Sequence, residues 1–151
     1  MFSNFNKLIT FVGRLMVGGF YLYYGLNNLV DYAGMTGYAA FKGVPMPSIA
    51  VAIGAVLLLI GGISILAGWR PVIGIAALVA FLLPVTMLMH NFWTIADPQM
   101  HVIEQGMWMR NMALAGAALV FLTIPRPWVW SVDEALARNS DRARTQTRLA
   151  Q

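Results

Sequence analysis

The chain has 151 residues, enough for one domain. Apolar residues make up 59% of it and charged residues 11%, against about 45–50% and about 25% in soluble domains; with a mean hydropathy of +0.67, this is the composition of a membrane protein. Its net charge is +4 and it has no cysteine, which excludes disulfides, thiolate nucleophiles, cysteine-ligated clusters and thiol-dependent quinone reduction.

The first apolar segment runs from about Leu8 to Val30. It is longer than the core of a secretion signal and no small-residue cleavage motif follows, so it reads as a retained membrane helix. Arg14 lies inside it. Arg14, Gly18, Tyr21, Gly25 and Asn28 share one face at helical spacing. Small and polar residues on one face suit a helix–helix contact in lipid. The stretch Asp31–Pro47 contains Gly34, Gly37, Gly43 and Pro45. It is expected as a loop, or as a short interfacial helix with Tyr32, Tyr38 and Phe41 at headgroup depth.

A second helix is expected from about Ser48 to Ala67. Gly54, Gly61 and Gly68 recur every seven residues in it, a packing stripe fit to meet other helices. Gly68-Trp69-Arg70-Pro71 is a tight turn, with Pro71 at the first position of the third helix. That helix ends near Met89 and should kink at Pro84. The fourth is expected from about Met107 to Ile124, where Pro125-Arg126-Pro127 stops it. Trp128 and Trp130 read as interfacial anchors. Arg138, Arg142, Arg144 and Arg148 crowd the end of the chain. Beside apolar helices, such a tail is better matched to a lipid surface than to nucleic acid. It is expected to begin as a short surface helix and then fray.

Lys7, Arg70, Arg126 and the tail arginines fall on one side of the four segments; Lys42, Arg110, Asp31, Asp97 and Glu104 fall on the other. The positive-inside rule puts the first set in the cytoplasm. The expected fold is all-α, a four-helix transmembrane bundle with both termini cytoplasmic. Residues 1–130 form the membrane domain and 131–151 a basic cytoplasmic tail.

Between the third and fourth helices, His90–Asn111 holds both histidines, two of the six acidic residues and two of the five tryptophans. Two histidines with Asp97 and Glu104 raise the question of a metal, but the spacing matches no specific ligand motif, so none is assigned. His90, Asn91, Trp93, Arg110 and Asn111 carry donors and ring faces of the kind a quinone site needs. The structural alternative is that they tie helix ends together, Arg110 and Asn111 capping the fourth helix and pairing with Glu104 or Asp97. Arg14 likewise has two readings. It either snorkels to the headgroups or holds helices through carbonyl hydrogen bonds, with a ligand as a further acceptor. Arg14 and Asn28 should be roughly 20 Å apart along their helix, so Arg14 and the His90–Asn111 cluster are expected to be separate.

The order and spacing of several short motifs resemble the DoxX-like family of small bacterial membrane proteins. They are Gly13-Arg14, Gly25 with Asn27-Asn28, Leu58–Gly62, His90-Asn91-Phe92-Trp93 and Arg110-Asn111-Met112-Ala113-Leu114. The resemblance spans roughly residues 8–124. It implies a four-helix bundle of the bacterial inner membrane. Some members are linked to thiosulfate oxidation with quinone as electron acceptor, others to oxidative-stress complexes. The family often carries a glutamate before the Gly-Gly of the second helix; Leu58 stands there in this chain, so a proton relay through that carboxylate does not carry over. Two functions are therefore expected. One is an accessory or assembly subunit of a larger, redox-linked membrane complex, with other membrane subunits as partners. The other is a quinone-linked oxidoreductase subunit, its ligand held among Arg14, Asn28, His90, Asn91, Trp93, Arg110 and Asn111.

Overall fold

The computed structural model describes residues 4–149. Residues 1–3 of the expected membrane domain and 150–151 of the expected tail lie outside the described residues. Among the described residues there are six α-helices and no strand: α1 Asn4–Val30, α2 Tyr32–Phe41, α3 Pro47–Ala67, α4 Pro71–Met89, α5 Pro98–Val120 and α6 Val132–Leu149. Short 3-10 turns occupy Phe92–Thr94 and Phe121–Thr123.

The helix ends follow local chemistry. α3 and α4 open on prolines, whose missing N–H costs nothing in a first turn. α3 stops at Gly68, whose φ of 62° is the left-handed conformation that glycine adopts freely; its N–H donates to the Ser64 carbonyl. α4 runs unbroken through Pro84. The expected start of the last membrane helix is corrected: α5 begins at Pro98, not near Met107, because Asp97 caps it and accepts from the Met100 N–H at 2.8 Å. The tail is corrected too. α6 is an 18-residue helix, opened by the Ser131 hydroxyl accepting from the Glu134 N–H at 3.1 Å while the Glu134 carboxylate accepts from the Trp130 N–H at 2.8 Å.

α1 packs on α3, α3 on α4, and α4 on α5. The buried residues of α1 are Arg14, Gly18, Tyr21, Gly25 and Asn28, the face read from spacing. Close approach is what the glycines supply. A Cβ on Gly62 would lie 2.6 Å from the Leu22 backbone nitrogen and 3.0 Å from the Gly18 carbonyl oxygen. Gly54 and Gly61 face Phe81 and Leu78 of α4. The glycine stripe therefore packs within this chain.

The core joins Tyr21, Leu58, Ile65, Leu78, Ala118 and Trp128 across the helices. Trp128, expected at the interface, is 1% exposed and lies against Phe121; Trp130 alone of the pair stays exposed. On α3 the exposed positions after Ser48 are Ile49, Ile53, Val56, Ile60 and Ile63, which follow helical spacing and are all apolar. A helix of a soluble protein would put polar residues there. α3 and the segment Pro71–Thr94 are long and apolar enough to cross a membrane. α1 and α5 have the length, 27 and 23 residues, with polar residues among the apolar ones.

Candidate functional site

Two polar constellations form, at opposite ends of α1. At one end Arg14 is 1% exposed. Its Nε donates to the Ile65 carbonyl at 3.0 Å and its Nη2 to the Leu66 carbonyl at 2.7 Å. Nη1 donates to the Val129 carbonyl at 2.7 Å and to the Trp130 carbonyl at 3.4 Å. Ile65 and Leu66 lie in the last turn of α3, where carbonyls have no intrahelical partner and the helix dipole is negative. Arg14 thus caps α3 from a neighbouring helix and fastens the segment before α6 to the same point. The Phe11 and Trp128 rings flank it at 5.9 and 5.5 Å. This bridge, not snorkelling, is its role in the fold, and its donors are taken by backbone rather than left for a ligand.

At the other end Glu104 is 4% exposed and accepts from two partners. Lys42, just after α2, donates from Nζ to Oε1, and His90, capping α4, bonds through Nδ1 to Oε2 at 2.7 Å. Glu104 lies before the apolar run of α5 that starts at Met107. One carboxylate therefore ties together α2, α4 and α5. In the tautomer whose Nδ1–H donates to the carboxylate, Nε2 is an acceptor. The four acid and histidine residues considered as metal ligands do not converge: Asp97 caps α5, and His101 stands edge-on to the Phe92 ring at 5.4 Å.

Beside this clasp lies a cavity of about 310 Å³ between α1, α2, α4 and α5, with Leu58 of α3 in its wall. It brings together four of the expected site residues: Asn28, His90, Arg110 and Asn111. Asn28 is 7% and Asn111 6% exposed, and neither side chain hydrogen-bonds among the described residues. Arg110 forms no ion pair there. The remaining wall is largely aromatic and aliphatic, including Tyr21, Tyr24, Tyr38 and Phe81; the Tyr21 hydroxyl donates across to the Leu114 carbonyl at 3.4 Å. Arg110 and Asn111 sit in mid-helix, so the expectation that they cap α5 or pair with Glu104 and Asp97 is corrected. Asn91 and Trp93 stay outside the cavity: the Asn91 carbonyl closes the 3-10 turn by accepting from Thr94, and Trp93 is half exposed against Phe92. The sequence reading missed Lys42 and the tyrosines of α1 and α2. The tyrosines were legible as aromatics on or near the polar face of α1, whereas nothing local marks Lys42.

Asn28 and Asn111 are buried as residues, yet their amide atoms stay accessible; the fully buried side-chain polar atoms without a partner, among the described residues, are Thr36 Oγ1 and Trp108 Nε1. Two accessible amides lining one aromatic-walled cavity are groups that a ligand carbonyl or hydroxyl would satisfy. Leu58 keeps the adjoining wall apolar, so no carboxylate from α3 reaches the cavity.

Comparison with known proteins agrees with this architecture. The DoxX family matches residues 9–91, a stretch that contains Arg14, Asn28 and His90. The inner membrane protein YphA of Escherichia coli (strain K12) is 25% identical over 134 residues, covering 87% of this chain and 93% of that protein. No solved structure matches. With more than half of its length matched, and with a lipid-type apolar surface, this chain belongs to the DoxX family of membrane proteins.

Proposed function

We propose that the protein is a four-helix subunit of the bacterial inner membrane whose outer-face cavity binds a quinone-type ligand for a larger redox-linked complex. The single observation that carries this reading is that two buried residues, Asn28 and Asn111, line one aromatic-walled cavity with carboxamides that have no hydrogen-bond partner among the described residues. In it, α1, α3, α4 and α5 span the bilayer and both termini are cytoplasmic, with residues 131–151 as the basic tail. The loop charges support that orientation, and reporter fusions at Asp97 and Gln151 test it; reporters on the same side overturn it.

A quinone, when bound, accepts electrons and protons at its two carbonyls. The chain supplies the rest. Asn28 and Asn111 donate N–H groups to a carbonyl and fix the ring between Tyr21, Tyr24 and Phe81. Arg110 places a positive charge where electron density builds. His90, held at Nδ1 by Glu104, passes a proton between Nε2 and outside water. The chain has no cysteine with which to accept electrons by thiol chemistry, so the reading assigns the electron donor to a partner. In this way the accessory role and the quinone site become one function.

The test uses the protein in lipid nanodiscs. Wild type should bind a short-chain benzoquinone saturably. Asn28→Leu/Asn111→Leu, which keeps side-chain volume and removes the amides, should bind it at least tenfold more weakly. Equal affinity would refute the site.

A further inference from the structure

A second cavity, of about 270 Å³, adjoins the first. The two share Asn28, Met35, Phe81, Val85 and Met89 as a common wall. Among the described residues, Asn28 is the only polar side chain lining the second one. From there it runs between α3 and α4 to Ile53 and Leu88, which are exposed on the outer faces of those helices, next to the apolar surface that faces lipid. Its depth depends on Gly54, where a Cβ would come 3.0 Å from the Phe81 ring.

The space is too small for a partner helix. One helical turn, about 10 Å across and 5.4 Å long, exceeds it. An apolar chain fits, and the polar cavity on the other side of their shared Asn28 is where that chain's head would lie. We propose that this groove holds the apolar tail of the ligand whose polar ring sits at Asn28 and Asn111. The ligand class is then a lipid with a small uncharged carbonyl head, entering sideways from the bilayer between α3 and α4, not a water-soluble carbonyl compound entering from outside. This rests on the proposed head site and adds the tail path to it.

The experiment compares two probes on the protein in nanodiscs: a benzoquinone bearing a ten-carbon chain, and the same ring with a methyl group in place of the chain. Gly54→Leu fills the groove from α3. Ala80→Phe fills it from α4 at an exposed position and so does not depend on core packing. Either variant that folds should lose at least tenfold in affinity for the chain-bearing ring and keep wild-type affinity for the methyl ring. Wild-type affinity of both variants for the chain-bearing ring overturns the groove and leaves the head site standing. Wild type that binds neither probe removes the head site, and the groove with it. Equal losses for both probes also overturn it, since the substitutions would then act on the ring.

Discussion

Arg14→Leu removes a guanidinium and leaves its volume largely filled. Three carbonyls, Ile65, Leu66 and Val129, lose bonds of 2.7 to 3.0 Å, and Trp130 loses a longer one at 3.4 Å. Side-chain hydrogen bonds inside membrane proteins average about 0.6 kcal/mol, which sets a floor near 2 kcal/mol for three. Bonds from charged donors run to about 1.5–3 kcal/mol, which for three reaches about 5–9 kcal/mol. Relief from burying the charge offsets part of this, so a loss of about 2–4 kcal/mol is expected. For a chain of this length that is a fall in Tm of roughly 5–15 °C. Arg14→Lys should recover only part of it, because an ammonium cannot reach three carbonyls in one plane. Thermal melts in mild detergent, with circular dichroism as the readout, measure this. A wild-type Tm for Arg14→Leu would refute the bridge and restore the snorkelling reading.

Two further outcomes follow from the packing and the clasp. Gly62→Leu should prevent α1 from seating on α3, since even a Cβ meets backbone at 2.6 Å; limited proteolysis should then cut α1, whereas Gly13→Ala, with nothing within 4 Å, should stay protected, and a protected Gly62→Leu would sink the account. Glu104→Gln should free α2, because Lys42 and His90 lose their common acceptor. The amide still accepts one hydrogen bond, so the cost is about 2 kcal/mol, below that of a buried pair broken outright, and amide exchange over residues 32–41 should speed up roughly thirtyfold; unchanged exchange would argue against the clasp.

Spacing alone identified the buried face of α1, because five non-bulky or polar residues recurring at three and four can share only one side of a helix. It failed on α5. There the apolar run begins at Met107, but the helix is set earlier by Asp97-Pro98, a start signal present in the sequence and hidden by the polar turn that follows it. From that error came the reading of Arg110 and Asn111 as caps. Trp128 was misplaced for another reason. A tryptophan after a helix-ending proline looks interfacial, and only the distant Arg14 and Phe121 draw it inward. The glycine stripe had the right spacing and an unknown partner, since period does not say which helix lies opposite. Of the site, Asn28, His90, Arg110 and Asn111 were legible as polar residues at one end. That two of them stay unbonded is a property of tertiary packing alone.

Arg14 also sets the order in which the protein can be completed as it is made. The carbonyl of Val129, its acceptor for Nη1, lies 115 residues downstream. A chain leaving the ribosome N-terminus first presents α1 with an unsatisfied guanidinium while α2, α3, α4 and α5 are still being synthesised. α1 is therefore the first helix made and the last to be locked in place. A nascent chain stalled before Pro125 keeps the acceptors on α3 and lacks those at Val129 and Trp130, so a cysteine placed at Gly13 in it should react faster with a water-soluble maleimide than in the finished protein. Equal reaction rates would show that α1 seats without the closing segment.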